Sequence, residues 1–181
     1  MTIYISMIRG INVGGKRIKM ADLRDLYGSL GFESVKTYIQ SGNVIFKSDN
    51  DDPDDLAKRI QQKIFQTFNY HVEVVIRTME ELMTVVESYP YTEKEDEYLH
   101  VTFLSNIPPE TMIQTIDPEN INGIKSREEL IVQSREIYLY LPYGYGRTKL
   151  NNNFFEKKLG LNATTRNWKT VNKLLQMAQG L

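Results

Sequence analysis

The chain has 181 residues, of which 41% are hydrophobic, and its 22 basic and 23 acidic residues leave a formal charge of −1. This length allows one large domain or two small ones, and the balanced charge excludes a general attraction of the whole molecule to nucleic acid or to an anionic membrane. The absence of cysteine excludes a disulfide scaffold, a thiol nucleophile and a cysteine zinc site.

The first half of the chain predicts four strands and two helices. Apolar residues alternate as they do in strands over residues 3–8, 35–39, 45–47 and 72–76. They recur at helical spacing over residues 20–30 and 56–68, and Asp52 and Pro53 are typical of the cap and first turn of the second helix. The order strand, helix, strand, strand, helix, strand is that of the split βαβ, or ferredoxin-like, plait.

The second half predicts a similar but less regular pattern. A connecting helix over residues 79–86 ends before Pro90, and the polar residues 92–97 mark the domain boundary. Strands are predicted near residues 99–103, 130–132 and 137–141, and helices after residue 109 and over residues 154–159 and 168–178. We therefore expect an α+β protein made of two ferredoxin-like plaits, in residues 1–90 and 91–181, with the second plait less regular.

A glycine-rich loop follows the first strand and is bracketed by two cations, Arg9 and Lys16. The glycines of this loop, Gly14 and Gly15 among them, allow positive φ angles and a close approach of the backbone to a ligand. Backbone amides in such a loop can form a partly positive concavity, to which the two cations add full charges. We therefore predict that the loop binds an anion, and a phosphate-bearing one in particular.

The same loop matches the P-loop pattern from Gly10 as far as Lys16. Arg17 occupies the position of the serine or threonine that would bind Mg²⁺, and a hairpin follows the helix where a parallel strand belongs. This context argues against a P-loop nucleoside triphosphatase. Glycine loops also serve simply to turn a chain, so a structural turn is the alternative interpretation.

Two further cationic segments precede helices in the second half. Arg147 and Lys149 follow a run with two glycines, and Thr148 between them is a candidate helix cap. Arg166 and Asn167 stand just before the last helix, where Asn167 can cap the helix and Arg166 can contact an anion. Well-capped loops with solvated charges are the alternative interpretation of both segments.

The predicted ligand site combines these segments with the turn of the first hairpin. Ser41 and Asn43 of the turn, and Asn12 of the glycine-rich loop, can hydrogen-bond a base or a sugar if the turn and the loop converge in the fold. The predicted ligand-binding residues are Arg9, Asn12, Gly14, Gly15, Lys16, Ser41, Asn43, Arg147, Lys149, Arg166 and Asn167.

Four sequence motifs together resemble one bacterial family. The motifs are RGINVGGK at residues 9–16, TYIQSGN at 37–43, GRTKL at 146–150 and TRNWKT at 165–170. In this order they are similar to the family catalogued as domain of unknown function sixteen ninety-seven. The resemblance implies a pair of ferredoxin-like plaits, and it implies no established activity, substrate or catalytic residue.

Groups suited to catalysis or to metal binding are few. His71 and His100 are expected at ordinary positions in or beside strands, and Trp168 is expected in the core on the apolar face of the last helix. The sequence has no nucleophile elbow, no HExxH and no dinucleotide GxGxxG motif. The acidic residues 49–55 lack the spacing of an EF-hand and are interpreted as helix capping. We predict no metal and no cofactor, and the residues do not decide whether the protein is an enzyme.

Targeting and membrane signals are not evident in the sequence. Residues 1–4 have neither the basic flank nor the apolar core of a signal peptide. No stretch approaches the ~20 apolar residues that span a bilayer. We therefore expect a cytoplasmic protein without a membrane partner, and the sequence does not indicate an oligomeric state.

The sequence favours the binding of a phosphate-bearing small molecule or nucleotide at the basic loops, with no reaction assigned. One alternative is a single-stranded nucleic-acid module in which Tyr4 and Tyr38 stack bases on an open sheet face. The neutral charge and the lack of an RNP1 motif weigh against this alternative. The other alternative is an interaction or scaffold protein whose loops are purely structural.

Overall fold

The computed structural model describes residues 1–50, 52–117, 120–121 and 124–181. The chain divides into two compact units, of which unit 1 comprises Met1–Thr84 and Lys173–Leu181 and unit 2 comprises Val85–Asn172. Each unit contains one four-stranded antiparallel sheet. The predicted α+β class and the pair of ferredoxin-like plaits are confirmed.

Unit 1 has the βαββαβ order predicted from the sequence. Its strands are β1 (Thr2–Ile8), β2 (Glu33–Tyr38), β3 (Asn43–Ser48) and β4 (Val74–Thr78). Its helices are α1 (Met20–Ser29) and α2 (Pro53–Phe68), and α3 (Met79–Glu87) begins directly after β4. The strands lie in the order β2–β3–β1–β4, which is the strand order of the ferredoxin-like plait.

Local sequence explains where α2 begins and ends. The Asp52 carboxylate accepts hydrogen bonds from the backbone N–H groups of Asp54 and Asp55, at 2.9 and 3.2 Å. Pro53 occupies the first turn, where a missing N–H is harmless, and Asn69 ends the helix in the left-handed conformation. Such a cap stabilises a helix by about 1 kcal/mol. The capping predicted for the acidic residues before this helix is therefore confirmed at Asp52.

Both faces of the unit 1 sheet are buried. Tyr4 packs against α1 and α2 in one core cluster with Phe46 and Leu56, and it is only 1% exposed. Ile5 and Met7 alternate with it on the opposite face and are also fully buried. The proposed stacking of bases on Tyr4 is therefore wrong, because no base can reach a ring inside the core.

Unit 2 repeats the topology of unit 1, with shorter helices between its strands and an additional pair of short strands. Its strands are β5 (Leu99–Leu104), β6 (Asn120–Ile121), β7 (Ile124–Lys125), β8 (Glu129–Gln133), β9 (Glu136–Tyr140) and β10 (Ala163–Asn167). Its helices are α4 (Glu110–Ile113) and α5 (Asn152–Leu159), and α6 (Trp168–Gln179) begins directly after β10. The main sheet has the order β10–β5–β9–β8, which corresponds strand for strand to the sheet of unit 1.

Strand β10 is absent from the sequence prediction, which assigned its residues to the approach to the last helix. The sequence Ala-Thr-Thr-Arg-Asn has no apolar alternation, so periodicity does not indicate a strand. The segment becomes a strand because it pairs antiparallel with β5, from Ala163 opposite Leu104 to Asn167 opposite His100.

The cap of α5 also differs from the prediction. Asn151, and not Thr148, caps the helix by accepting a hydrogen bond from the Phe154 N–H at 3.0 Å. The Thr148 hydroxyl instead accepts one from the N–H of Leu150 at 2.9 Å, which holds the preceding loop in a turn. The helix ends at Gly160 in the left-handed conformation, as predicted. Within the described ranges, no helix has the length and apolar character needed to cross a bilayer.

Candidate functional site

The two units differ in how the second helix of the plait covers the sheet. In unit 1, α2 follows β3 after residues 49–52, whereas in unit 2, α5 follows β9 only after residues 141–151. At 1.5 Å per residue, α2 is about 24 Å long and α5 about 12 Å long. A glycine-bearing loop with one short 3₁₀ helix, Tyr145–Arg147, therefore replaces the first half of the helix in unit 2.

His100 stands at the sheet position that this shorter helix leaves uncovered. His100 lies opposite Asn167 of β10, just as Tyr4 lies opposite Thr78 of β4. In unit 1 the large Tyr4 side chain fills this position and donates a hydrogen bond from its hydroxyl to the Asn50 carbonyl at 3.0 Å. In unit 2 the smaller imidazole faces a pocket.

We call this cavity, with a volume of about 670 Å³, the His100 pocket. It lies where β5 begins and β10 ends, and it is bounded by the 3₁₀ helix Asp96–Tyr98 and the first turn of α6. Its lining residues are Asp96, Glu97, His100, Tyr145, Asn167, Trp168, Lys169 and Asn172.

The imidazole of His100 has an unfilled hydrogen-bonding site. The residue is only 8% exposed, and its Nδ1 atom makes no well-aligned hydrogen bond among the described residues, although the ring interacts with the backbone of Tyr98, which partly opposes the effect of burial on its pKa. Its ring stacks on Tyr145, with the centroids 5.4 Å apart and the planes inclined by 24°. Burial lowers the pKa of His100, so the ring is neutral at pH 7. A buried polar atom without a partner costs about 1–3 kcal/mol, which a bound ligand can recover.

Aromatic rings line the pocket on two elements. Trp168 is half-buried, and its indole packs against Tyr89 with a centroid distance of 3.8 Å. Tyr89 is in turn fixed against Tyr138, at 5.2 Å. The prediction that Trp168 lies in the core is therefore correct for only part of the ring, because the indole also lines the pocket with Tyr145.

The first turn of α6 presents donors to the pocket. The Asn167 side-chain oxygen accepts a hydrogen bond from the Thr170 N–H at 2.8 Å, so Asn167 caps the helix as the sequence suggested. Lys169 is exposed, and among the described residues its ammonium group has neither an ion pair nor a hydrogen bond. A helix N-terminus carries partial positive charge, to which this ammonium adds.

The other predicted cations of unit 2 occupy different environments. Arg147 and Lys149 are exposed and flank the short 3₁₀ helix that carries Tyr145. Arg166 is 8% exposed, and its guanidinium donates hydrogen bonds to the Thr164 hydroxyl at 2.7 Å and the Thr165 carbonyl at 3.0 Å. Burial lowers the pKa of Arg166 to about 10, so the residue keeps its positive charge at neutral pH.

A second buried arginine, which the sequence reasoning missed, occupies the equivalent place in unit 1. Arg77 of β4 is 1% exposed and donates to the Ile76 carbonyl at 2.9 Å. Arg77 and Arg166 each lie one residue before the cap of the helix that follows the last strand. The repetition of this arrangement indicates that the predicted anion ligand Arg166 is also part of the internal framework of its unit.

In unit 1 the glycine-rich loop and the hairpin turn converge, and Asn12 joins them. Its amide nitrogen donates to the Gln40 carbonyl at 2.7 Å and the Ile18 carbonyl at 3.0 Å, while its oxygen accepts from the Ile18 N–H at 2.9 Å. Lys16 donates from its ammonium group to the His71 carbonyl. The polar groups of Asn12 and Lys16 are thus used to hold the loop in place. Arg9, at the start of the loop, is half-buried and donates its backbone N–H to the Glu73 carbonyl at 2.9 Å.

The hairpin turn is held by a similar internal network. Asn43 is fully buried, and its amide donates to the Ser41 hydroxyl at 2.9 Å and the Tyr38 carbonyl at 3.3 Å. Ile39, predicted as part of the strand, instead lies in the turn with φ of 47°, because β2 ends at Tyr38. Gly14 and Gly15 are exposed at the tip of the neighbouring loop, and Gly14 has φ of 76°.

Comparison with known proteins identifies relatives of the sequence and of the fold. Residues 1–138 match the family described as "Protein of unknown function (DUF1697)". The solved structure of the conserved bacterial protein SP0830 from Streptococcus pneumoniae is similar, with a TM-score of 0.74 and 24% identity over 99% of each chain. At this identity the likeness establishes the fold alone. No curated protein matches the chain.

The family match agrees with the motifs recognised in the sequence. The matched residues 1–138 include the motifs at 9–16 and 37–43, and the motifs at 146–150 and 165–170 lie beyond them. The likeness to SP0830 extends over the whole two-plait architecture. The chain therefore belongs to the family of proteins of unknown function DUF1697.

Proposed function

We propose that this protein binds a phosphate-bearing small molecule, and a nucleotide in particular, in the His100 pocket of unit 2. The observation that carries the proposal is the buried Nδ1 atom of His100, which lines the pocket without a hydrogen-bond partner among the described residues. The volume of about 670 Å³ lies within the range of small-molecule sites, about 300–1,000 Å³.

The electrostatics of the pocket support a phosphate at the start of α6. Lys169 supplies a full positive charge beside the partial charge of the helix N-terminus. Arg147 and Lys149, exposed beside Tyr145, raise the local positive potential further. The lining also includes the carboxylates of Asp96 and Glu97, so the phosphate is expected beside Lys169 at the start of α6 and away from the 3₁₀ helix that carries these two residues.

The aromatic residues support a planar group next to that phosphate. Trp168 is fixed by Tyr89, and Tyr145 is fixed by its stacking on His100, so neither ring must be ordered when a ligand binds. Stacking of a base on an aromatic ring contributes about 1–3 kcal/mol. A phosphate, a sugar and a base together match the donors, the polar groups and the rings that line the pocket.

Isothermal titration calorimetry with AMP, adenosine, ribose 5-phosphate and inorganic phosphate tests the proposal. We expect AMP to bind more tightly than adenosine, because only AMP carries the phosphate. Trp168 is the only tryptophan of the chain, so a change in its fluorescence on binding locates the ligand at this pocket. If neither AMP nor ribose 5-phosphate binds, or if adenosine binds as tightly as AMP, the proposal is wrong.

Substitution of Lys169 tests the placement of the phosphate. Lys169→Met removes the ammonium charge at the helix N-terminus. We expect this substitution to lower the affinity for AMP about fivefold, which corresponds to about 1 kcal/mol of binding free energy. Adenosine affinity is expected to stay the same. Lys158→Met is the matched control, because Lys158 is an exposed lysine of α5 that does not line the pocket. Equal losses for AMP and adenosine would contradict this placement.

A further inference from the structure

A second cavity of unit 2, with a volume of about 620 Å³, lies where β8 begins and β9 ends. We call it the Glu128 pocket. Its volume is in the range of small-molecule sites, about 300–1,000 Å³. Its lining residues are Lys94, Ser126, Arg127, Glu128, Glu129, Tyr140, Pro142 and Tyr143, and none of them lines the His100 pocket.

The ammonium group of Lys94 shows how this pocket holds a cation. It lies 3.0 Å from the Glu129 carboxylate and 4.4 Å from the centroid of the Tyr140 ring. Glu129 and Tyr140 are directly opposite each other in the pairing of β8 with β9, so both side chains reach the same cation. The carboxylate supplies charge and hydrogen-bond acceptors, and the face of the ring adds cation–π attraction. A carboxylate and a tyrosine ring together therefore bind an ammonium group here.

A second carboxylate and a second tyrosine line the pocket without such a cation. Glu128 directly precedes β8 and is only 5% exposed. Among the described residues its carboxylate has neither an ion pair nor a hydrogen bond, although its backbone N–H donates to the Ser126 hydroxyl at 3.1 Å. Tyr143 follows β9 and is 50% exposed, and its ring contacts no other ring or cation within the ranges that the structure describes.

The Glu128 carboxylate is the group of the pocket that most needs a partner. A charge that is removed from water is destabilising unless an opposite charge offsets the lost hydration. Lys94 is already paired with Glu129. Arg127 is exposed, and over the same described ranges it forms no ion pair with Glu128.

We infer that the Glu128 pocket binds a small organic molecule with a primary ammonium group, which Glu128 holds by an ion pair and Tyr143 by the face of its ring. The ligand thus takes the part at this carboxylate and ring that Lys94 takes at the neighbouring pair. The inference does not depend on the nucleotide site, because the two pockets have no lining residue in common.

Two probes of nearly the same size test the inference by ligand-detected NMR titration of the full chain at neutral pH. n-Butylamine carries the ammonium group, and 1-butanol carries a hydroxyl in its place. We expect n-butylamine to bind about tenfold more tightly, the effect of one hydrogen bond to a charged group. 1,4-Diaminobutane and the free amino acid lysine also carry the ammonium group, and their relative affinities distinguish a polyamine from an amino acid as its source.

A variant of the buried carboxylate tests its role in two ways. Glu128→Gln keeps the size of the side chain and removes its charge, so we expect n-butylamine to bind it no more tightly than 1-butanol. Without any probe, the variant is expected to have a higher Tm than the wild type, because it removes a buried charge that has no partner. Glu110→Gln is the matched control, since Glu110 is an exposed residue of α4 that does not line the pocket, and it is expected to retain the preference for the amine.

Three results would overturn the inference. The first is equal affinity of the wild type for n-butylamine and 1-butanol, and the second is a preference for the amine that survives in Glu128→Gln. The third is a lower Tm of Glu128→Gln, which would show that the carboxylate has a stabilising partner inside the protein.

Discussion

At the scale of single residues, the equivalent positions of Tyr4 and His100 show how one fold yields a filled core in unit 1 and a pocket in unit 2. Both residues lie on the helix-covered face of their sheets, each opposite the last residue of the neighbouring strand, which is Thr78 in β4 and Asn167 in β10. Tyr4 is covered by α2 and finds its hydrogen-bond acceptor at Asn50. His100 is smaller, and its Nδ1 has no partner among the described residues. The candidate site therefore depends on His100, whose side chain is smaller than that of Tyr4 and leaves one hydrogen-bonding atom for a ligand.

The buried His100 is expected to make stability depend on pH. A histidine in the unfolded chain titrates near pH 6.5, whereas burial lowers the pKa of His100 in the folded chain. As the pH falls below about 6.5, the unfolded state takes up a proton that the folded state resists, so the free energy of unfolding decreases. The loss amounts to about 1.4 kcal/mol for each unit by which the pKa is lowered.

Urea unfolding of the wild type and of His100→Gln at pH 7.5 and 5.5 measures this contribution. The variant is expected to lose less stability over this interval than the wild type, because glutamine does not titrate. His71→Gln is the matched control, because His71 is exposed and does not line the pocket. An identical pH dependence in His100→Gln and the wild type would contradict the role assigned to burial.

At the scale of elements, the glycine-rich loop and the first hairpin form one interlocked piece of unit 1. Asn12 joins them by donating to the Gln40 carbonyl, its two other hydrogen bonds are with Ile18 inside the loop, and the Ile8 N–H donates to the Gly42 carbonyl at 2.9 Å. Gly42 has φ of 79°, and a Cβ atom there would lie 2.9 Å from side-chain atoms of Ile8 and Ile11. Glycine is thus required in this turn both by the backbone conformation and by the close approach of the loop.

Gly42→Ala is therefore expected to lower the free energy of unfolding by about 2–3 kcal/mol, the sum of backbone strain and overpacking. Gly15→Ala is the matched control in the neighbouring loop, because a Cβ atom at Gly15 meets nothing within 4 Å and its φ is not positive. Thermal or urea unfolding compares the two variants. If Gly42→Ala is as stable as Gly15→Ala, the close packing of loop and turn is not important for stability.

At the scale of the whole molecule, the fold is a repeated plait in which the two copies have been elaborated differently. Both sheets have the same strand order, and both last strands carry a buried arginine before a capped helix. Unit 2 departs from unit 1 by its short α4, its added β6–β7 hairpin and the replacement of half a helix by the loop that carries Tyr145. The candidate site lies where the second copy departs from the first.

Binding of AMP is expected to stabilise unit 2 and to be visible in the unfolding of the whole chain. A ligand at one hundred times its Kd raises the free energy of unfolding by about 2.7 kcal/mol. Trp168 fluorescence follows the unit that holds the pocket. His100→Tyr, which gives unit 2 the side chain that unit 1 has at Tyr4, removes the imidazole and occupies part of the pocket, so it is expected to reduce the stabilisation. An AMP effect of equal size in this variant, or no effect in the wild type, would contradict the proposed site.

Much of the fold is predictable because its signals are local. The apolar alternation of β1, the Asp52–Pro53 start of α2 and the Gly160 end of α5 depend on residues that are neighbours in sequence. Strand β10 is not predictable in this way, since its Thr-rich sequence becomes a strand only by pairing with β5. The same limit applies to His100, which looks like any other residue of a strand until the length of α5 is known.

Periodicity, caps and motifs are properties of short stretches, and they are sufficient to predict the α+β class, the two-plait order and the family. Which polar groups form internal hydrogen bonds, and which line a cavity, depends on contacts between distant parts of the chain. Asn12 and Asn43 form internal hydrogen bonds, whereas His100 and Lys169 line the pocket. The hydrogen-bond partners of a side chain belong to strands and loops that are distant in sequence. Strand pairing and core packing bring these partners together, so they cannot be read from a short stretch of residues.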